Sequence, residues 1–364
     1  SRDRAFMRRA LALARRGWGQ TAPNPMVGAV VVAGDKVVGE GWHERFGEAH
    51  AEVHALRAAG GLARGATVYV SLEPCAHHGK TPPCVDALIA AGVARVVCAV
   101  RDPTVAALGG AERLEQAGIP VTMGVEESAA RELNAPFFQQ AREPWRPFVT
   151  VKLALSMDAA VADAYGRSKW ISGPASRREV HRLRAGHDAV AVGIGTVLAD
   201  DPSLTVRGRE APRETPRRIV FDRRARLPLD CRLVRTATDT PVVAVVASHA
   251  DSLRVRELER SGVQIVVADE LSAACVSLKE LGVRSLLVEG GAGLASAWLA
   301  ESLLDRLIIF HSPLVLGAGA KLAFAGVPPE ELARARRFEV LARKRFGSDL
   351  MTVYAPEGSV HRAD

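Results

Sequence analysis

Short β-branched runs alternate with helix-like segments along this 364-residue chain, twice over, and a proline-rich interruption separates the two sets. In the first set "VGAVVVAGDKVVGEG" reads as a strand, a Gly-Asp turn and a second strand. "HAEVHALRAAGG" is a helix stopped by Gly60 and Gly61, and "CVDALIAAGV" is another with a glycine stop. "TVYVSLEPC" reads as a β-rich strand, "RVVCAV" as a short buried one, and "GAERLEQAGIPVTMGV" adds a helix and a strand. "NAPFFQQAREPWRPF" then breaks the rhythm with Pro136, Pro144 and Pro147, and is read as the linker. The second set opens at "FVTVKLALS" and runs through "DAVAVGIGTVLADD", "RRIVFD", "PVVAVVAS", "VQIVVAD", "SLLVEGG" and "RLIIFHSPLVLG". "FEVLARKRFGSDLMTVYA" closes it as an antiparallel pair. Such alternation demands an α/β class, with helices packed on both faces of each sheet. The length suits two domains, expected at 1–145 and 146–364, each able to bury its own core.

The opening "SRDRAFMRRALALARRGWG" is Arg-rich, as a transit peptide is. However, Phe6, Ala10, Ala14 and Trp18 recur at helical spacing and lead directly to a turn and a strand, so this stretch is read as the first helix of the fold. Lys and Arg number 48 against 41 Asp and Glu, a net charge of +7. That balance favours an anionic partner. Aromatic residues make up only 5% of the chain, and no basic run is interleaved with them as a base-stacking platform requires. A small phosphorylated metabolite is therefore expected, and nucleic acid is not. No apolar run approaches the ~18 residues of a membrane span, so no membrane partner is expected. Five cysteines, an odd number widely spread, argue against a disulfide framework and for a reducing compartment, the cytoplasm.

Chemistry concentrates in residues 43 to 84. His43, His50, His54, His77 and His78 fall close to Cys75 and Cys84, and imidazole and thiolate are the ligands zinc prefers. Three protein ligands with an open position make a catalytic site, whereas four make a closed structural one. Glu52 lies two residues beyond His50. If His50 occupies the non-helical edge of its helix, its ring can bind metal while Glu52 reaches a water there; deeper in a helix the two would diverge. A protease-type pair of His50 and His54 competes, although Ala51 stands where that motif needs Glu. A structural zinc, or reduced thiols beside surface histidines, is the plainer alternative. His50, Glu52, Pro74, Cys75 and Cys84 match the zinc-deaminase pattern, in which metal lowers the pKa of water towards ~7 and the Glu shuttles protons as general acid and base. The eight residues between the cysteines depart from the two found in nucleic-acid deaminases.

"PNPMVGAVVV", "GWHERFGEAHAEVHAL" and "EPCAHHGKTPPC" together resemble the deaminase half of the bifunctional riboflavin-biosynthesis deaminase–reductase family. The resemblance implies a cytidine-deaminase-like three-layer domain with His50, Cys75 and Cys84 on zinc and Glu52 as catalytic residue. It further implies that the loop between the cysteines lines the pocket, with Asn24, His43, His77, Lys80 and Thr81 on the substrate. Lys80 would suit the ribose phosphate. Ala29 stands where that family often has Cys, and "RDPTVAALGGAERL" is shorter than its usual stretch.

In the second half "SLLVEGGAGLASAWL" runs from a strand through a glycine turn into a helix, the kind of start that binds phosphate. As a dinucleotide fingerprint it is incomplete, because Ser296 holds the third glycine position. By itself it leaves nucleotide binding and a tight structural turn equally open. "KLALSMDAAVA", "SKWIS", "AVGIGTVLADDPSLTVR" and "VEGG" resemble the reductase half of the same family. That implies a dihydrofolate-reductase-like α/β domain using NADPH. Cofactor contacts are then expected at Ala154, Trp170, Thr196, Asp200, Gly291, Ala292, Gly293, Leu294, Ala295, Ser296 and Ala297. Ser168, Arg184, Leu204, Arg207 and Glu289 would meet the substrate, with Arg184 and Arg207 as a phosphate clamp. Lys152, Asp200 and Glu289 are candidates for the polar group that assists hydride transfer. Ala159 follows Asp158 where the family usually has Gly, which questions a turn of positive φ there.

The expected activity is zinc-dependent deamination of a diaminopyrimidine ribosylamino phosphate, followed by NADPH-dependent reduction of its ribosyl chain to ribityl. The expected partners are small phosphorylated pyrimidines and further copies of the chain. A nucleoside or RNA-editing deaminase fused to an unrelated reductase is the alternative. So is a non-catalytic zinc protein that binds RNA, with His77 or His78 closing the metal site.

Overall fold

The computed structural model describes residues 2–77, 82–104, 109–169, 171–208 and 211–359. The chain forms two compact units, Ser1–Arg142 and Glu143–Asp364. The first contains α1 (Arg2–Ala14), β1 (Gly28–Ala33), β2 (Lys36–Trp42), α2 (Ala51–Ala59), β3 (Thr67–Val70), α3 (Cys84–Ala91), β4 (Arg95–Cys98), α4 (Gly110–Gln116), β5 (Val121–Thr122), α5 (Glu127–Leu133) and α6 (Ala135–Arg142). Its sheet has the order β2-β1-β3-β4-β5. β1 pairs antiparallel with β2 and β3, whereas β3, β4 and β5 run parallel.

Alternate strand residues go to opposite faces. Val30, Val32, Tyr69 and Val97 pack with Met7, Ala10 and Leu11 of α1, while Val31, Val68 and Val96 pack with Ala51 and Ala55 of α2 and Leu88 of α3. Glycine lets α2 lie directly on β2. A Cβ at Gly39 would sit 2.2 Å from the Ala55 carbonyl, and one at Gly41 2.5 Å from the Ala51 carbonyl. This close approach fixes the height of the helix start that carries His50 and Glu52.

Two expectations need correction here. The strand expected over "TVYVSLEPC" ends at Val70. Beyond it Ser71 N–H donates to the Gly28 carbonyl at 3.0 Å, Glu73 N–H to the Val100 carbonyl at 2.9 Å, and Pro74 has no donor to extend a ladder. The stretch "NAPFFQQAREPWRPF" expected as linker contains the boundary between the units, after Arg142, but its first part is helix α6, which buries Phe138 and Gln139. Pro136 lies in its first turn, where a missing N–H breaks no helical bond.

The second unit contains β6 (Phe148–Leu155), β7 (Ala160–Ala162), α7 (Pro174–Ala185), β8 (Ala189–Gly193), α8 (Ile194–Asp200), β9 (Arg217–Phe221), α9 (Arg232–Arg235), β10 (Val242–Val246) and α10 (Ser252–Arg260). It continues with β11 (Gln264–Val267), α11 (Leu271–Glu280), β12 (Ser285–Glu289), α12 (Ala292–Ala300), β13 (Arg306–His311), β14 (Lys321–Leu322), β15 (Phe338–Phe346) and β16 (Asp349–Pro356). The main sheet has the order β11-β10-β9-β8-β12-β6-β13-β16-β15. It is parallel from β11 to β13 and closes with the antiparallel pair β16 and β15.

Val151, Ile219, Val243 and Val288 pack against Leu278 of α11 and Trp298 of α12 on one face; Val190, Val220 and Ala244 pack against Leu258 of α10 on the other. Seven parallel strands bring their carboxyl ends to one edge, where open α/β sheets bind ligands. Ala159 does adopt the turn that its side chain disfavours, with φ +61°. Asp158 ties that turn down by accepting the Gly317 N–H at 2.8 Å. Among the described residues no helix is long and apolar enough to cross a membrane.

Candidate functional site

In the first unit His50 is the residue capping α2, with extended backbone (φ −78°, ψ 166°). It thus holds the non-helical edge position that lets His50 and Glu52 converge. Cys84 is the first residue of α3, and Cys75 lies in the loop after β3. One donor atom from each of His50, Cys75 and Cys84 lies within 4.8 Å of the other two. His50 Nδ1 is 3.1 Å from Cys84 Sγ and 3.6 Å from Cys75 Sγ, and the Cys84 N–H donates to Cys75 Sγ at 3.4 Å. The Cys75 thiol is pulled down to about 4, first by its hydrogen bond with Cys84 and then by His50, against burial. Cys84 is pushed up by Cys75 and by burial. Two sulfurs competing for one proton form a donor set that a divalent cation relieves, and three ligands leave a position open. The residues therefore fit zinc.

Glu52 is 3% exposed. Burial pushes its carboxyl up to about 6, against the opposing charge of His50. His43 stands beside the cluster, its ring edge-on to His50 at 5.3 Å. Its Nδ1 lies 3.2 Å from the Ala49 carbonyl, which places the proton there and leaves Nε2 to accept from Asn24 Nδ2 at 3.3 Å. Burial lowers the His43 pKa and keeps the ring neutral. Asn24 and His43 thus form one hydrogen-bonded pair beside the metal cluster, touching it through the His43–His50 ring contact. His77 is exposed and His54 contributes no donor atom to the cluster, so among the described residues neither a fourth ligand nor a protease-type pair forms. His78, the other expected fourth ligand, and Lys80 and Thr81 lie outside the described residues.

Sequence reasoning missed two residues that hold the cysteine loop. Glu73, 3% exposed, accepts the Ala111 N–H at 3.0 Å and the Asp102 N–H at 3.3 Å, tying this loop to α4. A Cβ at Gly110 would sit 1.9 Å from the Pro74 carbonyl, so only glycine lets α4 begin there. The one available hint was an acidic residue directly before Pro-Cys.

In the second unit a cavity of about 460 Å³ opens at the carboxyl ends of β8 to β11, within the range of small-molecule sites. Gly193, Gly195, Gly293, Leu294 and Ala297 line it. A Cβ on Gly195 or Gly293 would project into open space, so both present bare backbone, the cradle a dinucleotide phosphate needs. Gly290 has φ +124°, and a Cβ there would meet Thr196 Oγ1 at 2.8 Å, which brings Thr196 onto the Gly290–Gly291 turn. The unit fits a dinucleotide at this edge. Ala292 opens α12 beside this turn. Ala295 and Ser296 are buried, at 1% and 2% exposure, and Ala295 packs in the core cluster with Trp298. Ala154 packs with the Val180 and Phe310 cluster rather than lining the cavity. Trp170 lies outside the described residues. Asp200 Oδ2 accepts from Ser168 Oγ at 3.0 Å.

Beside β12 a charged group gathers. Lys152 and Glu289 are register partners on β6 and β12. Arg184, from the end of α7, grips Glu289 with two bonds of 2.6 and 2.9 Å and donates to the Thr205 carbonyl at 2.9 Å. Without ligand, this guanidinium is held by Glu289 and the Thr205 carbonyl. Arg207 remains exposed, with its Nη2 on Ser203 Oγ at 2.6 Å and its N–H on His181 Nδ1 at 3.1 Å. Leu204, between them, is buried with φ +53°. Burial drives Glu289 up, yet Arg184 and Lys152 outweigh it and hold the carboxyl below its ordinary range. Burial lowers Lys152.

A family model for the cytidine and deoxycytidylate deaminase zinc-binding region matches residues 1–100, and one for the RibD C-terminal domain matches residues 147–352. The chain is 40% identical over 356 residues to the riboflavin biosynthesis protein RibD of Aquifex aeolicus, covering 97% of this chain and 98% of the relative. It is 42% identical to RibD of Escherichia coli, covering 96% and 98%. A crystal structure from Thermotoga maritima, described as a diaminohydroxyphosphoribosylaminopyrimidine deaminase/5-amino-6-(5-phosphoribosylamino)uracil reductase, is similar over 98% of this chain and 99% of its own, with a TM-score of 0.85 and 34% identity.

Proposed function

The chain belongs to the RibD family of bifunctional riboflavin-biosynthesis enzymes, a zinc deaminase domain fused to an NADPH-using reductase domain, and from that premise we propose how its residues divide the work. The observation that carries the reading is the meeting of His50, Cys75 and Cys84 donor atoms within 4.8 Å, two residues from the buried Glu52. Zinc held there supplies Lewis-acid activation of water at neutral pH. Glu52 would take the first proton of a water there and pass it to the pyrimidine ring nitrogen as the water oxygen bonds to the amino-bearing carbon, then carry the second proton to the amine, which leaves as ammonia as the C–N bond breaks. Its raised pKa suits both directions of transfer. Asn24 and the neutral His43 orient the ring; Lys80, Thr81 and His77 are assigned to the ribose phosphate side.

In the reductase domain NADPH supplies the hydride, with its phosphates on the Gly290–Gly291 turn. Glu289 stays ionised in the grip of Arg184, so it positions the ribose hydroxyls and does not act as the acid. Lys152, half-buried and with its pKa lowered by burial, is the group we assign to proton supply at the reduced carbon's oxygen. Arg207 takes the substrate phosphate. Five free thiols and phosphorylated substrates suit a cytoplasmic enzyme, and we propose assembly into a homo-oligomer, which light scattering tests.

Glu52→Gln provides the test. Incubated with the diaminopyrimidine phosphate and NADPH, this variant is expected to release no ammonia while keeping its zinc and still reducing pre-deaminated substrate. Deamination at the wild-type rate would remove Glu52 from the mechanism.

A further inference from the structure

The segment that carries Asn24 into the deaminase site belongs to no strand or helix, yet each of its backbone donors is taken. Pro23 and Pro25 have no N–H, so in Pro23-Asn24-Pro25-Met26 only Asn24 and Met26 can donate. The Asn24 N–H goes to the Thr21 carbonyl at 2.9 Å. The Met26 N–H goes 108 residues along the chain, to Asn134 Oδ1 at 2.8 Å, and Asn134 Nδ2 donates back to the Met26 carbonyl at 2.9 Å. Asn134 is 4% exposed and Met26 9%, so one buried amide closes both polar groups of Met26, as a neighbouring strand would.

Two helices place that amide. Asn134 stands between α5 and α6, and its backbone is occupied there: its N–H donates to the Ala130 carbonyl at 3.3 Å and its carbonyl accepts the Phe138 N–H at 3.1 Å. Ala130 and Phe138 are buried in one cluster with Met7, Leu11 and Tyr69. Only the side chain is left to reach Met26, and a short amide offers a donor and an acceptor together, which a carboxylate does not.

Two ties to His43 flank Met26. Two residues before it, Asn24 Nδ2 meets His43 Nε2 at 3.3 Å; one residue after it, the Val27 carbonyl accepts the His43 N–H at 2.8 Å. A shift at Met26 therefore moves Asn24 against His43, whose ring lies edge-on to His50.

We propose that Asn134 is a positioning residue of the deaminase site, clamping Met26 so that Asn24 meets the pyrimidine ring in register with His43. This rests on the reading above in which Asn24 and His43 orient that ring.

The test is a double-mutant cycle on the full chain. Deamination is followed as ammonia release from the diaminopyrimidine phosphate, with zinc content and reduction of pre-deaminated substrate as controls. Asn134→Ala is expected to keep its zinc and its reductase activity, and to lose about 10- to 100-fold in kcat/KM for deamination. In an Asn24→Ala background the same change should cost less than about threefold, because the group it positions is already gone. An equal loss in both backgrounds makes Asn134 a general scaffold and overturns the inference. So does a wild-type kcat/KM in Asn134→Ala while Asn24→Ala is impaired. If Asn134→Ala loses zinc or reductase activity, Asn134→Asp, which keeps the acceptor for the Met26 N–H, is judged by the same cycle. Loss of either there too shows that the clamp serves the fold as a whole, and overturns the assignment. Deamination by Asn24→Ala at the wild-type rate removes Asn24 from the site, and the underlying reading falls together with the inference.

Discussion

The site chemistry turns on backbone conformation at single residues. His50 can serve a metal because its backbone is extended at ψ 166°, one residue before the helix begins. The His-x-Glu spacing announced the pair, but the spacing alone is also compatible with divergent side chains. Ala159 illustrates the opposite case. A residue unsuited to positive φ was legible, but the turn forms regardless at φ +61° because Asp158 anchors it and the Ala323 N–H donates to the Ala159 carbonyl at 3.0 Å. The surrounding bonds outweigh a local cost of about 1 kcal/mol. Relieving that cost should show in a melt: Ala159→Gly is expected to stabilise the reductase domain by about 0.5–1 kcal/mol, less whatever unfolded-state freedom glycine adds. An unchanged or lower melting temperature would mean that the turn carries no strain.

At the scale of elements, docking depends on a few polar ties laid over apolar faces. α1 presents Met7, Ala10 and Leu11 to the sheet, and Asp3 fastens its first turn by accepting from Tyr69 Oη at 2.7 Å and from Arg95 Nη2 at 2.9 Å. The Arg95 hydrogen bond, then Tyr69, hold the Asp3 carboxyl below its ordinary value despite partial burial. A depressed folded pKa means that the stability it lends is present above the unfolded value of ~3.9 and is lost as pH falls through the folded value. Asp3→Asn should therefore be about 1 kcal/mol less stable than wild type at pH 7. Thermal melts in a pH series should show the two curves meeting below about pH 4. α7 depends on a tie from far along the chain. Gly173 offers no side-chain cap, and Asp349 of β16 instead accepts the Gly173 N–H at 2.7 Å and the Ser176 hydroxyl at 2.5 Å. No local pattern in "SGPASRREV" announces a cap more than 170 residues away.

For the molecule as a whole, each unit closes its own apolar clusters, Val31 with Leu88 and Met7 with Tyr69 in one, Val151 with Trp298 and Val220 with Leu258 in the other. The two chemistries therefore have separate supports. Removing zinc with a chelator is expected to abolish ammonia release and to lower the stability of the deaminase domain, because metal binding energy is folding energy there. NADPH oxidation with pre-deaminated substrate should persist under the same treatment; its loss would show that the reductase also needs the metal. By itself the sequence determined the two α/β sets, the candidate donors His50, Cys75 and Cys84 with Glu52 beside them, and a glycine turn in the second set, because local periodicity and side-chain chemistry specify these. Only the tertiary structure decided that Arg184 is bound to Glu289, that Glu73 and Gly110 hold the cysteine loop, and that Arg223, Arg224 and Arg226 line the cavity at the strand ends. Each of these depends on partners brought from distant positions, and which partner a charged side chain meets is fixed by packing, not by its neighbours in the chain.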